Sequence, residues 1–346
     1  MRKLIPALFL LPQMIINAQA LEIEAPHVPD LAANRMPDDT GSFSSGLIDI
    51  LRNSISALDP ALSEALRTAA MILCIVMLIS MILRFSSETR RVINMTGIVL
   101  ITSVLLKSTN ALILLAVDTI QSMSEYGKLL LPVMTAAMAS QGGIAASTAL
   151  YTGTAVFDLI LTRLISRLLV PGIYLFLVLA IANGAMGEDT LKKMRDIIKG
   201  SVGWMLKTIL TVFTTYMSVT RVVSGTTDAV TLKAAKFTIS SVVPVVGGIL
   251  SDASEAILVS AGVMKNAAGV YGILAILAVF LMPFLKIWVQ YMVLKLTGAL
   301  CSLFGTKQLT DLIDDFSSAM GILLAMTGAV CMLLLVSTVC FLRSVT

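Results

Sequence analysis

Few side chains in this sequence could do bond-making chemistry, and their spacing argues against catalysis. The single histidine, His27, sits in a proline-rich stretch, so no serine or cysteine has an imidazole base near it in sequence. Cys74, Cys301, Cys331 and Cys340 lie in or beside apolar runs without a CxxC pair and read as small packing residues, not as metal ligands. There is no GxxxxGK[ST] phosphate loop and no HExxH zinc pair. The expectation is a protein that is not an enzyme and needs no cofactor.

The remaining candidates are ionisable groups embedded in apolar sequence: Lys107, Asp158, Arg163, Lys207, Arg221 and Lys286. Such groups either face an interior cavity or snorkel to a membrane surface. Snorkelling is the expectation for the lysines, while Asp158 with Arg163 stays open. A second unusual feature is the stretch Ser240 to Gly262, "SSVVPVVGGILSDASEAILVSAG", in which Pro244, Gly247 and Gly248 interrupt an apolar run and Asp252 and Glu255 charge its continuation. Proline lacks an N–H and glycine weakens a helix, so the freed backbone groups must be buried in protein or face water. Asp252 and Glu255 have the spacing of a capping box, with Ser251 and Ser254 as further polar caps, so a new helix is expected to start there. The site residues singled out are therefore Pro244, Gly247, Gly248, Ser251 and Asp252, read either as a packed hinge or as part of a polar pathway.

The elements that must hold these residues are membrane helices. Hydrophobic residues make up 57% of the chain and charged ones 13%, against roughly a quarter in soluble domains, and the mean hydropathy is +0.92. Charge-free runs of spanning length cover 168–187, 267–285 and 319–342, with 68–83 slightly shorter. Alternating ten-residue barrel strands are absent, so the fold class is an all-α polytopic helical membrane bundle with broken or re-entrant segments. Before it, Arg2 and Lys3 precede an apolar run that ends at Ala18-Gln19-Ala20, the pattern of a signal peptide over 1–20. Residues 21–65 read as an exported linker and amphipathic lead-in, with Asp59-Pro60 as helix cap and first turn. Residues 66–346 form the membrane domain. Arg84, Arg90 and Arg91 would then end the first span in the cytoplasm, as would the loop near Lys193. The formal charge of +4 is explained by orientation signals, and no basic patch with interleaved aromatics points to nucleic acid.

An internal repeat is possible. Pro132 and Pro171 recur at Pro244 and Pro283 with one offset, and each half carries a Gly-Gly pair, Gly142-Gly143 and Gly247-Gly248. The small-residue run Leu129 to Phe157 is expected to break at Gln141-Gly142-Gly143 into a re-entrant hairpin or a close helix pair. Two amphipathic pieces also correspond. Leu191, Met194, Ile197 and Ile198 form an apolar face beside basic residues; Leu309, Leu312, Ile313 and Phe316 form one beside Asp311, Asp314 and Asp315. Matching broken segments in two halves also occur in secondary transporters.

The run "AKFTISSVVPVVGGILSDASEAI", with "SGTTDAVTLKAA" before it and "KNAAGVYG" after it, resembles the stage III sporulation protein AE family of endospore-forming bacteria. The PVVGGxLSDA string is the most specific part. The resemblance implies a multi-pass protein of the mother-cell membrane around the forespore. It would act in a transenvelope channel with the other stage III A proteins, including a secretion-type ATPase and ring-forming subunits, and with the forespore protein stage II Q. It implies no catalytic residue. A self-sufficient permease of small solutes is the competing expectation.

Overall fold

The computed structural model describes Pro29, Met36 and residues 43–85, 90–186, 189–242, 247–304 and 306–343; within these, the side chains of 85, 189, 190, 221–242 and 247–265 are not described. The expected signal peptide, His27, Pro244 and most of the linker lie outside the described residues. Every regular element described is helical.

Helix α1 (Phe43–Ser56) buries Gly46, Ile50 and Ser54, one residue per turn, and packs on the seventh helix. After a two-residue turn, α2 (Asp59–Phe85) begins with Asp59 and Pro60 in its first turn, where a missing N–H breaks no helical bond. Helix α3 (Arg90–Ala139) runs unbroken through Pro132. It stops in a turn at Ser140–Gly143, in which Gly142 has φ 91°, a conformation that disfavours any side chain. The small-residue run is therefore a close antiparallel helix pair, since α4 (Ile144–Leu164) returns along α3. A π turn over Ile165–Leu169 follows, in which the Val170 N–H reaches the Ile165 carbonyl. It ends just before Pro171, and the wider turn accommodates a ring that would otherwise press on the carbonyl four residues back. Helix α5 (Val170–Met186) completes this arm.

The second half repeats the order with α6 (Asp189–Val242) and α7 (Gly247–Phe304), and α8 (Lys307–Arg343) closes the chain. The Gly-Gly pairs occupy equivalent places: Gly143 directly precedes α4, and Gly247 opens α7. Of the prolines, Pro132 lies inside α3, Pro171 follows the π turn in the first turn of α5, and Pro283 lies within α7. The start of α7 also differs from the expected capped start: Asp252 lies in the second turn of a helix that begins at Gly247.

Helix α8 is the hub, touching α3, α4, α5, α6 and α7. Its apolar start, Leu309, Leu312, Ile313 and Phe316, is buried as the periodicity predicts. Among the described residues six helical stretches are long and apolar enough to cross a membrane, which makes this a multi-pass membrane protein. Helices α3, α6 and α7, with 50, 54 and 58 residues, are much longer than the roughly 20 residues that span a bilayer.

Candidate functional site

Two polar clusters lie between the helices. The first joins the starts of α6 and α8. Arg195, seventh in α6, is only 7% exposed and forms an ion pair through Nη1 with Oδ2 of Asp315, itself 6% exposed. A second guanidinium nitrogen lies 3.5 Å from Asp196 Oδ1. Lys199 Nζ donates to Ser318 Oγ at 3.0 Å, and Lys295 Nζ of α7 donates to Asp314 Oδ1 at 3.3 Å. These groups line a cleft of about 210 Å³ with Phe176 of α5 in its wall. Past Lys199, Lys295 and Ser318 it continues into a second cleft of about 310 Å³ with mainly apolar walls, Val202, Tyr291 and Ile322 among them.

This geometry corrects the amphipathic reading of α6. Met194 and Ile197, assigned to the apolar face, are 48% and 66% exposed, whereas Arg195 turns inward. A buried cation requires a partner, and Asp315 supplies it; the need to pair that charge sets the helix rotation here. The sequence carried only half of this signal, since the basic and acidic pieces are 120 residues apart and nothing local says that they meet.

The second cluster is neutral apart from one carboxylate. Ser124 Oγ of α3 donates to Asp158 Oδ2 of α4 at 2.6 Å, and Thr154 of α4 shares a 2.6 Å hydrogen bond with Ser337 of α8. Tyr216 of α6 donates to the Ala149 carbonyl at 3.1 Å. Asp158 is 5% exposed and its other oxygen, like the Tyr126 hydroxyl and the Gln141 carbonyl, has no hydrogen-bond partner. The open question of Asp158 with Arg163 resolves against a pair: Arg163 is exposed, and no ion pair joins the two. Lys107 and Lys207 are exposed and Lys286 is half-buried. The side chains of Arg221, Ser251 and Asp252, and the surroundings of Gly247 and Gly248, fall outside what is described.

Neither cluster pairs a serine or cysteine with a histidine, and the first is a set of paired charges holding three helices in register. Its arrangement can fix a bundle and admit water at one end. The family description stage III sporulation protein AE matches residues 30–344. The chain belongs to this family. It is similar to the stage III sporulation protein AE of Bacillus subtilis (strain 168), 25% identical over 205 residues, which cover 59% of this chain. The match spans about half the relative's length, 51%. No solved structure matches. Family membership supports a role in sporulation.

Proposed function

We propose that the protein is a membrane subunit of the transenvelope channel between mother cell and forespore, needed for forespore development and late forespore transcription. In this reading it resides in the mother-cell membrane around the forespore. Its partners are the other stage III A proteins, including the secretion-type ATPase and ring-forming subunits, and the stage II Q protein across the intermembrane space. The family match over residues 30–344 carries the reading. Arg84, Arg90, Arg91, Lys192 and Lys193 gather at one end of the bundle, which favours placing that end in the cytoplasm. A pull-down from sporulating cells should recover the ATPase and ring proteins, and recovery of neither would overturn the assignment.

The competing reading, a self-sufficient permease, draws on one observation: a buried carboxylate, Asp158, with an unpartnered oxygen inside the membrane domain. Solute uptake by the purified protein in liposomes would favour it. In the favoured reading Pro244, Gly247, Gly248, Ser251 and Asp252 act as a packed hinge. Sporulation should then tolerate Asp252→Asn, which keeps the size and polarity of the side chain, better than Asp252→Leu. If Asp252→Asn abolishes sporulation while the protein accumulates and binds its partners, the charge itself is functional.

A further inference from the structure

The two clefts between α6, α7 and α8 form one groove whose chemistry changes along its length. On α8, Asp311, Asp314, Ser318, Gly321 and Ala325 line it at steps of three or four residues, a single face of the helix. Position along the groove therefore follows the sequence: carboxylates toward the end of the bundle, then a hydroxyl, then no polar side chain. On α6 the same descent runs from Lys192 and Asp196 through Lys199 to Val202 and Gly203. Helix α7 contributes Lys295, which like Lys199 lines both clefts, and Tyr291 in the apolar one.

Four basic and four acidic side chains line the first cleft, so its walls carry no net charge. Most of them pair with one another: Arg195 with Asp315 and Asp196, and Lys295 with Asp314. Lys199 does not. Its Nζ donates to Ser318 Oγ, and no ion pair among the described residues includes either Lys199 or Asp311. A cation without a counter-charge thus lies where the groove turns apolar, and a carboxylate without one lies nearer the end of the bundle. Ser318, the partner of Lys199, is seven residues beyond Asp311, about 10 Å along the helix axis. An ionic hydrogen bond of about 2.8 Å at each end leaves about 5 Å between them, the separation of phosphate and ammonium in a phosphoethanolamine.

The level of the groove in the bundle fits a lipid. Its apolar part is open, since Gly203 and Ala325 are exposed. Both tryptophans of the chain belong to this level: Trp204 adjoins Gly203 and is 69% exposed, and Trp288 is one turn from Tyr291 and 42% exposed. Exposed tryptophans on membrane helices favour the headgroup boundary, and basic pockets between such helices hold lipid heads. We propose that the groove binds one phospholipid with an ethanolamine head, its phosphate between Lys199 and Lys295, its ammonium against Asp311 and Asp314, and an acyl chain along Val202, Tyr291 and Ile322. The order of the groove is the order of that molecule. The two carboxylates repel a head with a second negative charge, as in phosphatidylglycerol, and they accept hydrogen bonds that a choline head cannot donate. The inference needs the bundle to lie in a membrane and does not depend on the sporulation channel.

Native mass spectrometry of the purified full-length chain in detergent, titrated with palmitoyl-oleoyl phosphatidylethanolamine, tests it. One lipid per chain should bind at least about tenfold more tightly than phosphatidylglycerol or phosphatidylcholine with the same chains. Lys199→Gln should weaken binding at least about tenfold, while Lys193→Gln, outside the groove, binds as the parent does. A Cβ at Gly203 meets nothing within 4 Å, so Gly203→Leu is accommodated and fills the apolar cleft, and it should weaken binding as much as Lys199→Gln. Asp311→Asn should raise the affinity for phosphatidylglycerol. Glycerophosphoethanolamine, the same head without chains, should not displace the lipid even at about hundredfold excess. Displacement would make a free phosphoester the ligand and overturn the lipid. Equal affinity for the three lipids, or parental binding by both Lys199→Gln and Gly203→Leu, would overturn the site. A failed pull-down of sporulation partners would remove the channel assignment and leave this result as it stands.

Discussion

Helices α6 and α8 start alike and end up opposite. Each opens with an amphipathic piece at one end of the bundle, apolar residues at helical spacing beside charges of one dominant sign. In α8 the apolar face turns inward and Leu309, Leu312, Ile313 and Phe316 are buried, with the hub's remaining length packed against five other helices. In α6 the charge turns inward and Met194 and Ile197 stay outside. The difference teaches that apolar periodicity fixes helix rotation only where the surroundings are water. A membrane helix can leave apolar side chains facing lipid or a neighbouring copy at no cost, so the strongest unpaired demand sets the rotation, and for α6 this is the Arg195 guanidinium.

The largest effect should come from removing that demand's answer. Asp315→Ala leaves Arg195 buried without its carboxylate and is expected to destabilise the folded protein by about 3–5 kcal/mol. Thermal unfolding in detergent would measure it. The double variant Arg195→Met with Asp315→Leu removes both charges and should recover most of the loss. If the double variant is as unstable as the single one, the pair is not what holds α6 against α8.

A second test moves along α6 to its contact with α4. A Cβ on Gly153 would overlap the ring of Tyr216, whose hydroxyl is bonded to the Ala149 carbonyl. Gly153→Ala should therefore cost about 1–3 kcal/mol through displaced packing. Gly200→Ala, on the open face, gains helix propensity of up to roughly 1 kcal/mol without a clash. The two changes are chemically identical, and the same unfolding assay should give opposite signs. Equal signs would mean that α4 does not approach α6 as closely as described.

Much of this architecture was legible in advance, because it depends on local chemistry. Asp59-Pro60 marks the start of α2, Gln141-Gly142-Gly143 breaks the small-residue run where Gly142 takes a positive φ, and the apolar face of α8 is buried where the spacing puts it. What was not legible depends on partners distant in the chain. Arg195 meets Asp315 across 120 residues and Ser124 meets Asp158 across 34, and no local pattern encodes either. Proline spacing says less about structure, because a proline is accommodated in several ways: inside a long helix at Pro132, or after a π turn at Pro171. Glycine pairs were the better guide, since a chain reversal needs a residue that tolerates positive φ.

A neutral polar contact of the hub is predicted to be weaker. Thr154 and Ser337 are both buried and share one hydrogen bond between α4 and α8. A double-mutant cycle with Thr154→Val and Ser337→Ala should give a coupling of about 0.6 kcal/mol, the usual size for a neutral bond between membrane helices. A coupling near 3 kcal/mol would place this pair on the same footing as Arg195 with Asp315, and the contrast between a charged and a neutral end of the bundle would fail.

The smallest effect is expected on the outer edge of α6. Ile197 is 66% exposed, so Ile197→Ser removes little contact within the protomer and should change its unfolding by no more than about 0.5 kcal/mol. The corresponding position on α8 is Ile313 or Phe316, fully buried, where a comparable loss of apolar volume would cost several times more. The result therefore reads the rotation of α6 directly. A drop of more than about 1.5 kcal/mol for Ile197→Ser in the isolated protomer would mean that this face packs against the rest of the chain. Turning α6 that far would carry Arg195 off Asp315 and would bring the Lys207 side of the helix inward. Unchanged stability leaves Ile197 where an exposed apolar side chain of a membrane helix belongs, against lipid.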